Sequence, residues 1–405
     1  MSNTSSDISS SHSHSQDTGD KLPMAGLAAL AMAGFIIILT EVLPAGLLPQ
    51  IALSLNGTVP AMGQLITVYA LGSLLAAIPL MTATQTIRRR PLFLSAIIGF
   101  GIVNTVTALS DNFVLTLIAR FFAGVSAGLV WAMLAGYAVR MVRSEQAGRA
   151  IAIAMAGTPI ALSIGIPAAT FMGNEFGWRA AFGALSGLTL VLIAWVLVSV
   201  PDFAGTRAEK RRSLAQVWVL PGIRPILFIT LLYVLSQNIL YTYISPQLAL
   251  AGLSEETDRV LLVFGVAALI GLWAVGTMIT QWLWQLTLLS ILLFAITSLV
   301  LILLPTSQFA VYVAVAVWGL AFGGAATMFL TGISNAAGPS QDVAQSMMVT
   351  FWNFAIAGGG LVGGLLLGSF GAPSFSVVTL VLLAIAAWIL WHSRGQSYWR
   401  GARDN

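Results

Sequence analysis

Two charged residues, Glu41 and Arg120, stand inside long apolar runs of this 405-residue chain. A charge placed at membrane depth is costly and by default marks a functional site. Counted from the ends of their runs, both lie about eight residues, roughly 12 Å, from the same bilayer surface. They can therefore meet. One reading is an ion pair that locks two helices together. The other is a proton site: burial favours a neutral carboxylic acid and an approaching guanidinium favours the carboxylate, so a pair that moves can take up and release a proton. Cysteine is absent, and His12, His14 and His392 lie outside the apolar runs or at their very end. The interior thus holds no thiolate or imidazole to act as nucleophile, base or metal ligand. No run carries a Ser/His pair, two aspartates or a metal-ligand set. The expectation is no enzyme, no metal and no cofactor, with a proton gradient as the driving force.

Two further patterns carry information. In "AMAGTPIALSIGIPAATFMG" the glycines Gly157, Gly165 and Gly173 recur every eight residues, and Pro159 and Pro167 repeat at the same interval. Small residues admit close helix approach, and proline bends a helix and frees a carbonyl. The expectation is that a helix from the other half slides over this face during transport. Amides and aromatics inside apolar runs are candidates to line a mostly apolar cavity: Gln64, Tyr69, Trp131, Gln237, Asn238, Tyr241, Trp352 and Asn353, with Tyr233 and Tyr243 beside them.

The elements that position these residues follow from composition. Hydrophobic residues make up 58% of the chain and charged ones 8%, against roughly 25% charged in soluble domains. Mean hydropathy is +0.92. A soluble enzyme or a nucleic-acid binder is excluded. Apolar runs divide into twelve spans of membrane length, near 24–48, 59–82, 91–110, 113–139, 148–173, 179–200, 222–248, 259–282, 284–304, 309–333, 343–370 and 374–392. The eighth and ninth are divided near Gln281–Gln285, because one bilayer cannot hold 259–304 as a single helix. Fifteen of the 18 Lys and Arg residues fall on one side of this arrangement. The positive-inside rule places that side, and both termini, in the cytoplasm. The expected division is a disordered tail (1–23), a six-span half (24–201), a basic linker (202–220), a second six-span half (221–392) and a tail (393–405). An ungapped shift of 195 residues carries Gly124 to Gly319, Gly128 to Gly323, Gly165 to Gly360 and Gly173 to Gly368, the mark of a duplicated unit.

With these patterns the chain resembles the major facilitator superfamily, and within it the twelve-span drug/proton antiporter branch. "ARFFAGVSAG" (119–128) is similar to the branch's fourth-span motif, whose arginine maps to Arg120 and is implicated in proton transfer. The Gly157–Gly173 pattern resembles the fifth-span antiporter motif. "TEVLPAGLLPQIA" (40–52), "YTYISP" (241–246) and "DVAQSMMVTFWNFAIAGGGLVGG" (342–364) are similar to sugar-efflux and arabinose-efflux-type members. The loop after the second span departs from the family pattern: Gln85 stands at the usual aspartate and Arg88 at a glycine, while Arg89 and Arg90 remain. The inner gate is then expected to lack its usual charge relay. The resemblance implies an all-α membrane protein that exports a small organic compound, such as a sugar, a sugar-like metabolite or a drug, by proton antiport. The expected partners are that compound, protons and the lipid bilayer of the cell membrane, with no nucleic acid and a monomeric state. A facilitator without proton coupling and a sensor that binds ligand without flux remain the alternatives.

Overall fold

The computed structural model describes residues 22–84, 86–143, 146–205 and 214–399. Most of the predicted tail 1–23, the centre of the linker, residues 400–405 and Gln85 lie outside the described residues. Eleven helices among the described residues are long and apolar enough to cross a membrane. One of them contains Thr257–Leu303, which is 47 residues long and breaks at Trp282 (φ −125°, ψ 27°). At 1.5 Å per residue it would measure about 70 Å, twice a bilayer core. Broken there, it supplies two spans, and the fold is an all-α membrane protein of twelve.

The first six spans are Met24–Ser54, Val59–Ala83, Arg89–Leu109, Phe113–Arg140, Arg149–Phe176 and Trp178–Ser199. The seventh is Ile223–Thr242, continued by Ile244–Ala249. The eighth and ninth are 257–281 and 283–303, and the last three are Gln308–Ala337, Gln341–Phe370 and Pro373–His392. The first span runs to Ser54, past the expected end near residue 48. Side-chain oxygens of Thr58, Asn112 and Ser307 accept from Ala61, Leu115 and Ala310 backbone N–H groups and start spans two, four and ten, as helix caps do. Gly177 (φ 87°) separates spans five and six, and Gly371 (φ 76°) separates eleven and twelve.

Glycine contacts reveal how each half is built. A Cβ on Gly124 of span four would overlap the Tyr69 backbone of span two, and one on Gly319 of span ten would overlap the Phe264 backbone of span eight. Spans four and two thus pack as ten and eight do. Likewise, span five lies on span one through Gly157, Gly165 and Gly173, and span eleven lies on span seven through Gly359 and Gly363. The packing of spans two with four and one with five thus recurs in spans eight with ten and seven with eleven, but the glycines that carry the second pairing are not the ones the 195-residue shift selects. Gly360 instead faces Thr67 of span two, and Gly368 faces open space.

Two ends differ from expectation. In the linker, Leu214–Trp218 is helical, Val217 is buried, and the Trp218 ring lies 6.0 Å from that of Phe351. In the C-terminal tail, Tyr398 and Trp399 are buried, and the Trp399 indole N–H donates to Ser393 at 2.9 Å. Aromatic burial holds both segments to the second half.

Backbone-tight glycines set the first prediction. Gly124→Ala and Gly319→Ala should each lower stability by about 1–3 kcal/mol through overpacking. Gly183→Ala, where a Cβ meets open space, should not. Thermal unfolding in one detergent compares all three.

Candidate functional site

Arg120 is 1% exposed. A permanent cation at that depth needs hydrogen-bond acceptors in place, and the first span provides them. Nη1 of Arg120 donates to the Thr40 carbonyl, Nη2 to the Glu41 carbonyl at 3.0 Å, and Nε to the Leu65 carbonyl of span two at 3.3 Å. Thr40 is four residues before Pro44. Proline has no N–H, so the Thr40 carbonyl loses its helical donor, and the guanidinium takes that donor's place. Each hydrogen bond to a charged group contributes about 1.5–3 kcal/mol. The guanidinium also lies 4.7 Å from the Tyr69 ring centroid and 5.9 Å from that of Phe182. Tyr69 donates to the Ile37 carbonyl at 3.3 Å, and the Asn104 amide donates to the Thr40 hydroxyl at 3.0 Å.

Glu41 and Arg120 are therefore neighbours, as expected, although span one runs on to Ser54 and places Glu41 deeper than a span ending near 48 implies, and they do not meet through a carboxylate–guanidinium clasp. The two side chains form no ion pair within 4.0 Å, so neither the locking ion pair nor a bidentate grip on the carboxylate describes this conformation. Glu41 is part-exposed. Along span one, Ala31, Phe35, Ile38, Glu41 and Val42 form a part-exposed helical stripe, and Leu43–Leu48 are then all buried. Span seven has the same pattern: Leu231, Leu235 and Asn238 are part-exposed, and 239–245 are buried. Both part-exposed stripes lie toward the end of the bundle bearing the termini and stop at the level of Glu41 and Asn238.

Contacts toward the opposite end join the first six spans to the last six. Pro49 frees the Ala45 carbonyl as Pro44 frees that of Thr40, and the Ser245 hydroxyl of the second half reaches it at 3.4 Å, with the Gly46 carbonyl at 3.5 Å. The Tyr243 hydroxyl donates to Gly360 at 2.8 Å and approaches the Pro60 carbonyl at 3.3 Å. The Gln64 amide donates to the Gly360 and Pro60 carbonyls, each at 3.3 Å. Apolar packing follows the same division. One buried cluster joins the second half to residues such as Leu43, Leu48, Leu65 and Trp178 of the first. A separate cluster around Leu30, Phe93, Val130 and Val196 holds the terminus-bearing part of the first half.

The fifth-span motif works differently from the expectation. Gly157, Gly165 and Gly173 all face span one of the same half: Ala31, then Phe35 and Leu39, then Leu47. A π-turn at Ala161–Gly165 under-rotates the chain and offsets part of the drift between glycines eight apart. Contact with the other half comes at that turn, where Gly265 of span eight sits against the Leu162 and Ser163 backbone.

The cavity candidates fall into groups. Tyr69 lines the Arg120 pocket. Gln64 sits on the seam. Gln237 accepts from the Trp318 indole N–H at 2.6 Å, and Tyr241 packs on Trp318 and Phe264, an aromatic cluster inside the second half. Asn238 and Asn353 donate to carbonyls of their own helices, Val234 and Val349, at 2.9 Å. Trp131 and Trp352 are half-buried. Among the described residues no His, Cys, Asp and Glu side chains cluster as a metal site requires.

The arginine loop is tied to its own half. Arg88 pairs with Asp202 at 2.5 Å, and the Arg90 and Arg89 backbone N–H groups donate to Asp202 at 3.1 Å and Phe203 at 2.9 Å. Arg140 donates to the Ala204 carbonyl at 2.9 Å. Desolvation works against the Asp202 carboxylate, but the Arg90 N–H and Arg88 outweigh it and hold the carboxyl below its ordinary range. Asp202, just after the sixth span, thus supplies a carboxylate to this loop. Sequence reading passed over it, along with Thr40, Pro44, Asn104, Ser245 and Trp318. For Thr40, the spacing of four to its proline was the available signal.

A family model described as Major Facilitator Superfamily matches residues 30–344. Over 372 residues the chain is 28% identical to the transcription regulatory protein OpdE of Pseudomonas aeruginosa, covering 90% of this chain and 92% of that protein. It is 27% identical, over 89% of this chain and 91% of the other, to a protein of Mannheimia succiniciproducens named "Probable sugar efflux transporter".

The Pro44–Arg120 relation predicts a coupling. Arg120→Met should destabilise by about 1–3 kcal/mol, as the Thr40 carbonyl loses its donor. In that background Pro44→Ala, which returns a backbone N–H to Thr40, should recover part of the loss. The double-mutant cycle, read by denaturant unfolding, should give a coupling of about 0.5–3 kcal/mol; simple additivity would show that this carbonyl is not the link.

Proposed function

Because the chain belongs to the major facilitator superfamily, a family of membrane transporters rather than enzymes, we propose that it exports a small organic compound in exchange for protons. The observation that carries this reading is the Glu41 carboxylate: it ends a part-exposed stripe of span one, and the adjacent cation is occupied by backbone carbonyls. A carboxyl in that position can hold a proton or pair with a ligand, but not both at once. Such competition is the requirement for antiport. Arg120 then acts as a positioning residue that fixes the stretch of span one carrying Glu41 and adds positive potential.

The excess of Lys and Arg at the terminus-bearing end supports cytoplasmic termini in a cell membrane, and on this reading the two stripes border a path that opens to the cytoplasm. On this reading the halves 24–201 and 221–392 rock about the seam as one monomer, the far-end contacts of Ser245, Tyr243 and Gln64 break, and Glu41 meets the other side. Likeness to the sugar efflux protein favours a sugar or sugar-like cargo, with Gln237, Asn238, Tyr241, Trp352 and Asn353 as candidates to line its path. A second reading, a sensor that binds ligand without flux, draws on the likeness to OpdE, whose name is that of a regulator.

Flux in proteoliposomes tests the choice. A panel of sugars, sugar acids and amphipathic drugs is offered with and without an imposed pH gradient. The expected outcome is a compound that wild type accumulates at least about tenfold better with the gradient, about 1.4 kcal/mol of driving force. Glu41→Gln should abolish that dependence while binding persists without pH dependence. Transport unaffected by the gradient would leave a facilitator, and binding without any flux would leave the sensor.

A further inference from the structure

The membrane-facing side of spans nine and twelve carries a second arrangement, independent of the transport reading. Arg394, just past the end of span twelve, is exposed. Its guanidinium carbon lies 4.9 Å from the Trp284 ring centroid and 5.2 Å from that of Trp391. The two indoles are 5.8 Å apart at 53°, and the Trp284 N–H is fixed to the Leu390 carbonyl at 3.3 Å. The arginine is thus held between two rings rather than swinging free. Trp388 beside it is 62% exposed, Trp391 54%, and Trp282, at the break between spans eight and nine, 51%. Below them the surface continues as exposed aliphatic residues, Leu289 and Ile385 among them. A soluble protein would not leave such a face bare; here it meets acyl chains, and exposed tryptophans mark the headgroup level.

At that level the charge is unmatched. Arg394 makes no ion pair among the described residues, and the 281–285 connection contributes no basic or acidic residue. A stacked guanidinium keeps its edge N–H groups free, and their geometry suits two oxygens of one phosphate. We propose that Trp284, Trp391 and Arg394 form a binding site for the headgroup of an anionic phospholipid, with the tryptophans seating its glycerol and upper acyl region and Arg394 holding its phosphate. The positive charge distinguishes this site from a general aromatic belt, and the acyl-facing surface below it favours a lipid over a soluble anion.

Native mass spectrometry of the full-length protein in detergent tests this, with dioleoylphosphatidylglycerol and dioleoylphosphatidylcholine added in equal amounts. An attraction of the usual size for one basic residue at a membrane surface corresponds to about a fivefold preference for the anionic lipid in the first bound molecule. Arg394→Gln should bring the two lipids to within about twofold. Arg394→Lys keeps the charge but not the planar stack and should fall between. Because Arg394 is exposed, neither change threatens folding, and Arg88→Gln, at the same end but on the other half, should leave the preference intact. An unchanged preference in Arg394→Gln overturns the proposal. So does displacement of phosphatidylglycerol by inorganic phosphate at equal concentration, which would make this a soluble-anion site, or equal binding of both lipids by wild type.

Discussion

A guanidinium buried in a membrane protein keeps its charge, so the fold must bring acceptors to it. Here two of the acceptors are carbonyls of a helix that proline has interrupted. Pro44 leaves Thr40 without a donor and Arg120 supplies one. This exchange costs less than bringing a carboxylate alongside, because a carbonyl carries no net charge to desolvate. It also leaves the carboxylate of Glu41 uncommitted, one residue from the bond that fixes its helix.

The second proline of span one extends the logic. Pro49 exposes the Ala45 carbonyl, and Ser245 of the other half approaches it. One freed carbonyl is thus held inside the first half by a charged donor, and the next is held across the seam by a neutral hydroxyl. Neutral hydrogen bonds contribute about 0.5–1.5 kcal/mol each, a scale suited to contacts that must break when the far end opens. The tighter carbonyl–arginine bond lies within the first set of spans, which need not separate. Span five, clamped to span one along three glycines, moves with it, and the seam itself runs past the π-turn at Ala161–Gly165 and Gly265.

Much of this was legible in the residues. Apolar runs and the basic asymmetry pointed to twelve spans, including the break near Gln281 that falls at Trp282. Glu41 and Arg120 were visible because charges inside apolar runs are rare. What stayed hidden was pairing. An arginine near a glutamate reads as an ion pair, since side-chain charges are written in the sequence and free carbonyls are not. The glycine motif named its helix correctly but not its neighbour, because a π-turn changes the face that an eight-residue spacing presents. Gln237 could be singled out, but its partner Trp318 sits three spans away. Asp202 escaped notice because it lies in a loop rich in arginine, where one carboxylate looks incidental until Arg88 and the Arg90 N–H converge on it.

The central claim is that Glu41 holds an exchangeable proton for which ligand competes. Difference infrared spectroscopy of the reconstituted protein, stepped in pH, reads that carboxyl directly. The account predicts a carboxylic-acid carbonyl band in wild type that is missing from Glu41→Gln, with a titration midpoint that shifts when a compound transported in the flux assay is added. A band that survives in Glu41→Gln, or a midpoint indifferent to that compound, would contradict it.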